Sequence, residues 1–92
     1  MFKIEKITVD AAGFTDVPSV HAALKAAIGE KNYFGNNLDA LHDALTSICR
    51  RTRITVTNFA RAYEQLDDYA AKLAAVLAVS AAENPVLSVV FE

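Results

Sequence analysis

Ninety-two residues suffice for one compact core and are too few for two domains of ordinary size. Apolar residues make up 53% of the chain and charged residues 22%, a globular rather than a disordered composition. Nine lysines and arginines stand against eleven aspartates and glutamates. With a net charge of −2 there is no cation excess to neutralise a phosphate backbone, so direct nucleic-acid binding is not expected.

Residues Phe2 to Val9 mix Ile, Val and Phe with charged residues and predict a strand, its phase slipping between Ile4 and Ile7. Ala11-Ala12-Gly13 breaks the pattern. Pro18 and Ser19 open a helix with Val20, Leu24 and Ile28 on one stripe and Gly29 as its stop. Gly35-Asn36-Asn37 makes a turn. A second helix is predicted from Leu38 to Cys49, its core stripe formed by Leu38, Leu41, Leu45 and Ile48. Arg53 to Asn58 alternates, with Ile54 and Val56 on one side, and reads as a half-buried strand. Asn58 would cap a short helical turn.

The longest helix is expected from Leu66 to Ala82, with Leu66, Tyr69, Leu73, Val76 and Leu77 facing inward. Asp67 and Asp68 suit the positive end of its dipole, and Asn84-Pro85 ends it. Val86 to Phe91 is a nearly continuous apolar run, as in a well-buried strand. Strands separated by helices imply crossover connections, hence an α/β fold with a small parallel sheet across one domain, residues 1–92.

A lone cysteine, Cys49, excludes an internal disulfide and a Cys-rich metal site, and it fits a reducing compartment. Glu5 interrupts the start, so a signal peptide is not expected. No apolar run reaches the roughly 18 residues of a membrane span. The expectation is a cytoplasmic protein, monomeric when free, with no membrane association, metal or cofactor.

The second helix is the chemically informative element. At about 100° per residue, Asp39 and Asp43 lie one turn apart on one face, beside Thr46 and away from the leucine stripe. By spacing alone, an ordinary solvated face is the better reading, because exposed charge is the default. Of the adjacent rings Tyr33 and Phe34, one should clamp the helix start and the other stay partly exposed, where a tyrosine would serve as an interface anchor. His42 flanks the acidic face, yet no nucleophile is placed with it, so a contact role outweighs catalysis. His21 reads as a surface residue and Cys49 as a small core residue. No metal-ligand spacing occurs.

The run Tyr33-Phe-Gly-Asn-Asn-Leu-Asp-Ala-Leu-His-Asp-Ala-Leu45 resembles the signature of the barstar family, intracellular inhibitors of secreted bacterial ribonucleases. The resemblance implies a three-stranded parallel sheet packed with helices. It also implies that the second helix and the preceding loop plug the active site of a guanyl-preferring ribonuclease. Asp43 would be the central acid, pairing with cations that normally hold substrate phosphate. Asp39 and Asn37 would flank it, Tyr33 would pack on a catalytic side chain, and Thr46 and Ser47 would form the contact edge. The chain departs from the family's founding member, which carries tryptophan where His42 stands, a second tryptophan near Ile48 and an acid near Arg50. It also lacks an acid at Val79 and Ser80, with Glu83 the nearest substitute. In projection Arg50 falls on the face of Asp39 and Asp43.

The expected function is therefore an immunity protein or antitoxin that blocks a cognate ribonuclease and is not itself an enzyme. The alternatives are a binding module that inhibits nothing, or immunity against a toxin that is not a ribonuclease.

Overall fold

Three segments rich in Ile, Val and Thr pair side by side in a computed structural model, which describes residues 3–29, 33 and 35–92. They are β1 (Glu5–Asp10), β2 (Thr52–Thr57) and β3 (Leu87–Phe91), all parallel, with β2 in the middle. Ile7 stands opposite Ile54, which stands opposite Val89, and Val9 stands opposite Val56. Parallel neighbours need long crossovers. Helices α1 (Val17–Ile28) and α2 (Leu38–Thr46) fill the first, and α3 (Phe59–Leu66) and α4 (Asp68–Glu83) fill the second. The result is the α/β fold with a three-stranded parallel sheet that the sequence predicts.

Helix α1 opens on a capping box. The Asp16 carboxylate accepts from the Ser19 amide at 2.8 Å, and Ser19 Oγ accepts from the Asp16 amide at 3.0 Å. Gly29 closes it at φ 63°, the left-handed conformation that glycine adopts without penalty. Asn58 does not act as an N-cap. It sits at φ 56° with no side-chain bond to α3, and its amide instead donates to Asp10 at the end of β1, at 2.9 Å. The helix after it is correspondingly more than a turn, running eight residues. Asp67, at φ 50°, breaks the chain between α3 and α4.

Burial alternates along β1 and β2. Ile7, Val9, Thr52, Ile54 and Val56 are buried, while Lys6, Thr8 and Arg53 point away from the core. The sheet is thus covered on one face. This corrects the expectation of a well-buried last strand: Leu87 is buried, but Val90 is 37% and Phe91 40% exposed at an edge. The apolar run there serves the edge by packing Phe91 on Phe59, ring centroids 5.0 Å apart.

Leu24 of α1, Leu41 and Leu45 of α2, and Leu73 and Leu77 of α4 are fully buried in one core with the strands. Helix α2 packs chiefly against α4 rather than against the sheet. It forms an outer layer that buries Leu41, Ala44 and Leu45 and leaves Asp39 and Asp43 exposed. Among the described residues no helix is long and apolar enough to cross a membrane. Truncating Leu73 to alanine should leave a cavity beneath that outer layer and cost about 3 kcal/mol, read from a urea or guanidinium midpoint with unchanged slope.

Candidate functional site

The turn into α2 is set by two residues. Asn37 adopts an extended backbone and its Oδ1 accepts from the Ala40 amide at 2.8 Å, satisfying one of the orphan donors at the helix start. Gly35 lies close against this cap, since a Cβ there would stand 3.0 Å from Asn37 Nδ2 and 3.2 Å from Ala40 Cβ. Lys25 of α1 reaches across, donating to Asn36 Oδ1 at 2.7 Å with its ammonium 5.2 Å from the centre of the Tyr33 ring. Tyr33 and Asn36 are therefore tied to α1 before the helix begins.

Asp39 and Asp43 follow on the outer face, both exposed. Among the described residues neither forms an ion pair. Asp39 lies in the first turn, where the helix dipole favours a carboxylate. Asp43 lies in the last turn, where the dipole opposes it and no basic residue compensates. Helix α2 ends at Thr46, short of the predicted Cys49, because the hydroxyls of Thr46 and Ser47 fold back on its last turn. Thr46 Oγ1 donates to the His42 carbonyl at 2.8 Å, and Ser47 Oγ donates to the Asp43 carbonyl at 2.6 Å.

The early ending moves two residues from their expected places. Ile48 turns into the core, so Cys49 turns out and is exposed rather than a core residue. Arg50 leaves the acidic face altogether. Its guanidinium binds the Glu5 carboxylate at the start of β1 and reaches the Ile28 carbonyl at 3.4 Å. The acidic face is accordingly free of the cation that helical projection put on it.

His42 lies against α4, where Nε2 stands 3.1 Å from the Glu83 carboxylate. Both side chains are partly exposed, at 37% and 49%. Glu83 thereby joins the rim of α2 from a distant point in the chain. Between the two helices, Leu38, Asp39, His42, Ala75, Val76 and Val79 line a shallow groove of about 260 Å³. Among the described residues no group of three or more His, Cys, Asp or Glu side chains could hold a metal.

Tyr33 is the inward ring of its pair, 6% exposed. Phe34 lies outside the described residues. The Tyr33 hydroxyl is bonded to Nδ1 of His21, which is fully buried and so is not the surface residue that its sequence context suggested. His21 Nε2 bonds to the Tyr69 hydroxyl on α4 at 2.6 Å. Burial holds both phenols above their ordinary range and, with the nearby Lys25 ammonium adding a smaller push, holds the His21 imidazole below its own. His21 and Tyr69 come from helix positions separated by 48 residues, and nothing in either local pattern marks the contact.

Sequence reasoning also missed Asn84, which it read only as a helix end. The side chain is buried, and its Nδ2 donates to the carbonyls of Leu45 at 2.9 Å and Ile48 at 3.0 Å. The Leu45 carbonyl is in the last turn of α2, where it also accepts from the Ile48 amide at 3.4 Å, and Ile48 lies just past the helix, so Asn84 ties that end to the end of α4. A buried-side asparagine next to a proline was the sole available signal.

The site is an outer helix, held at its first turn by Asn37 and near its last by Asn84, that presents two exposed carboxylates with no ion pair among the described residues. The family model for Barstar (barnase inhibitor) matches residues 4–91, and the chain belongs to the barstar family. No curated protein matches it. Members of this family are inhibitors rather than enzymes.

Replacing Asn84 with alanine should remove the side-chain donor to the Ile48 carbonyl and the stronger of the bonds to the Leu45 carbonyl, and cost about 2 kcal/mol. The loss should appear in thermal unfolding, with proton chemical shifts changing first at Leu45 and Ile48.

Proposed function

We propose that this protein inhibits a barnase-type ribonuclease by covering its active site with α2 and the loop before it. The carrying observation is the pair Asp39 and Asp43, exposed one turn apart, unpaired among the described residues, on a chain of the barstar family. A ribonuclease site holds phosphate with cations and hydrogen-bond donors. Two carboxylates on a stiff helix offer those groups the same charge without a bond to cleave. Once water is excluded, each carboxylate makes short, charge-assisted hydrogen bonds. The field of the acidic face also speeds the encounter with a cationic cleft.

The individual residues take the roles that the family resemblance implies, adjusted to where each side chain stands. Asp43 is the central acid and Asp39 its flank. Asn37 spends its carbonyl on the cap, leaving its NH₂ for a partner. Thr46 and Ser47 have donated their hydrogens to backbone carbonyls and present oxygen lone pairs at the contact edge. Tyr33 contributes chiefly by holding the loop, since little of its ring remains at the surface. His42 with Glu83 extends the rim onto α4, supplying an acid that the sequence of α2 lacks. The protein would act as an immunity protein or antitoxin inside the cell that makes or meets the nuclease.

The test is inhibition of barnase, or of the ribonuclease encoded nearest to this gene, titrated with the protein at two salt concentrations. Inhibition should weaken as salt rises. Asp43→Ala should lower affinity by an amount worth about 2–5 kcal/mol, and Asp39→Ala by less. Unchanged inhibition in both variants would sink the assigned surface, and partners without nuclease activity would favour a non-inhibitory binding module. Free of its partner, Asp43→Ala should be slightly more stable than the wild type, by about 0.5 kcal/mol in thermal unfolding, because it removes a charge set against the helix dipole.

A further inference from the structure

Among the described residues the one fully buried titratable side chain is His21, and it is tied on both nitrogens. Its partners come from two other parts of the fold: Tyr33 from the loop that enters α2, and Tyr69 from α4, the helix on which α2 rests. The two tyrosine rings meet the imidazole edge-on, with interplanar angles of 87° and 78°. A neutral imidazole has one donor and one acceptor nitrogen, so one tyrosine donates to it and the other accepts. A tyrosine hydroxyl can do either, and the cluster is therefore fully satisfied only as a set.

We propose that His21 is the positioning residue of the α2 face: clamped by Tyr69, it holds Tyr33 and through it the Gly35–Asn37 turn that starts the acidic helix. The proposal rests on the reading of α2 as the inhibitory surface. It adds that the surface is ordered only while the imidazole is neutral. Two further contacts make the coupling specific to this loop. Lys25, one turn along α1 from His21, grips Asn36 and lies over the Tyr33 ring. Protonating His21 would place a cation in the core one turn from Lys25 and require both phenols to accept, so the hydroxyl that donates to the neutral imidazole would lose its acceptor. Tyr33, Tyr69 and Lys25 are the titratable groups facing His21 among the described residues.

The direction of the pH effect follows from the lowered basicity of the buried imidazole. The unfolded or released form, with a histidine titrating near 6.5, binds the proton more readily than the folded form. The ordering contributed by neutral His21 is thus present in full above about pH 6.5 and is lost as the pH falls from there through the lower folded value.

Amide hydrogen exchange in the free protein tests this without any partner. The Ala40 and Leu41 amides, bonded to the side chain and carbonyl of Asn37, report the helix start, and amides of β2 report global stability. In the wild type, protection at Ala40 and Leu41, corrected for intrinsic rates, should fall about tenfold between pH 7.5 and pH 5 while β2 stays protected. Tyr69→Phe should reduce protection at the same two amides at pH 7.5. His21→Gln, which keeps a hydrogen-bonding side chain that cannot titrate, should fold and show a flat profile. His21→Leu should be unprotected there at every pH. Superimposable profiles for wild type and His21→Gln would overturn the proposal, as would wild-type protection in a folded His21→Leu. Dissociation from the inhibited ribonuclease should speed up in parallel. Altered exchange with unaltered dissociation would overturn the link to the binding face. If the wild type inhibits no ribonuclease, the inhibitor reading fails, and the exchange profiles alone decide whether His21 holds the loop.

Discussion

Everything the acidic face can do depends on α2 packing as a second layer on α4. A helix laid directly on the sheet would be flanked by its neighbours, and its charged side would compete with theirs. Set on top of α4, α2 buries Leu41, Ala44 and Leu45 completely and keeps the opposite side clear. The cost of such a position is that nine residues must hold an orientation with little direct support from the strands. Short helices are marginal by themselves, so the support has to come from the ends. Asn37 closes the first turn, and Asn84 takes up the carbonyls at the last.

The charge on that helix is distributed against local stability. Asp39 gains from the dipole, but Asp43 does not, and no described cation neutralises either. Arg50, the nearest candidate in sequence, is drawn away to Glu5 by the early end of α2. A carboxylate kept exposed and unpaired retains its capacity for an external cation, the property that the proposed mimicry of phosphate would require. On the proposed function, the same loss of stability in the free protein would become a gain when a partner supplies the missing charge.

The buried polar groups follow a different rule. His21, Tyr33 and Tyr69 are withdrawn from water and satisfy one another across three elements. Inside the core such a set is worth having only when complete, because each unpaired member would carry its full desolvation cost. Completeness makes it directional, and it ties the loop in front of α2 to the helix beneath α2. Apolar packing has no direction, whereas these hydrogen bonds fix the Tyr33 hydroxyl on one atom of His21.

The sequence by itself determined the element order, the parallel sheet and the acidic face, because each rests on short-range periodicity. Leu38, Leu41 and Leu45 at helical steps place Asp39 and Asp43 outward whatever the rest of the chain does. The pattern from Tyr33 to Leu45 was dense enough to indicate the family that residues 4–91 match. Only the tertiary structure decided where α2 stops, which sent Cys49 outward and Arg50 to Glu5. It also decided that β3 would be a half-exposed edge, since a continuous apolar run cannot say how many faces of a sheet are covered. The pairing of His42 with Glu83, the hold of Asn84 on α2 and the burial of His21 are contacts across 36 to 48 residues or, for Tyr33, 12. Periodicity specifies the face of an element. The partner that meets that face is chosen when the elements pack, and a polar side chain is read as surface until that partner is known.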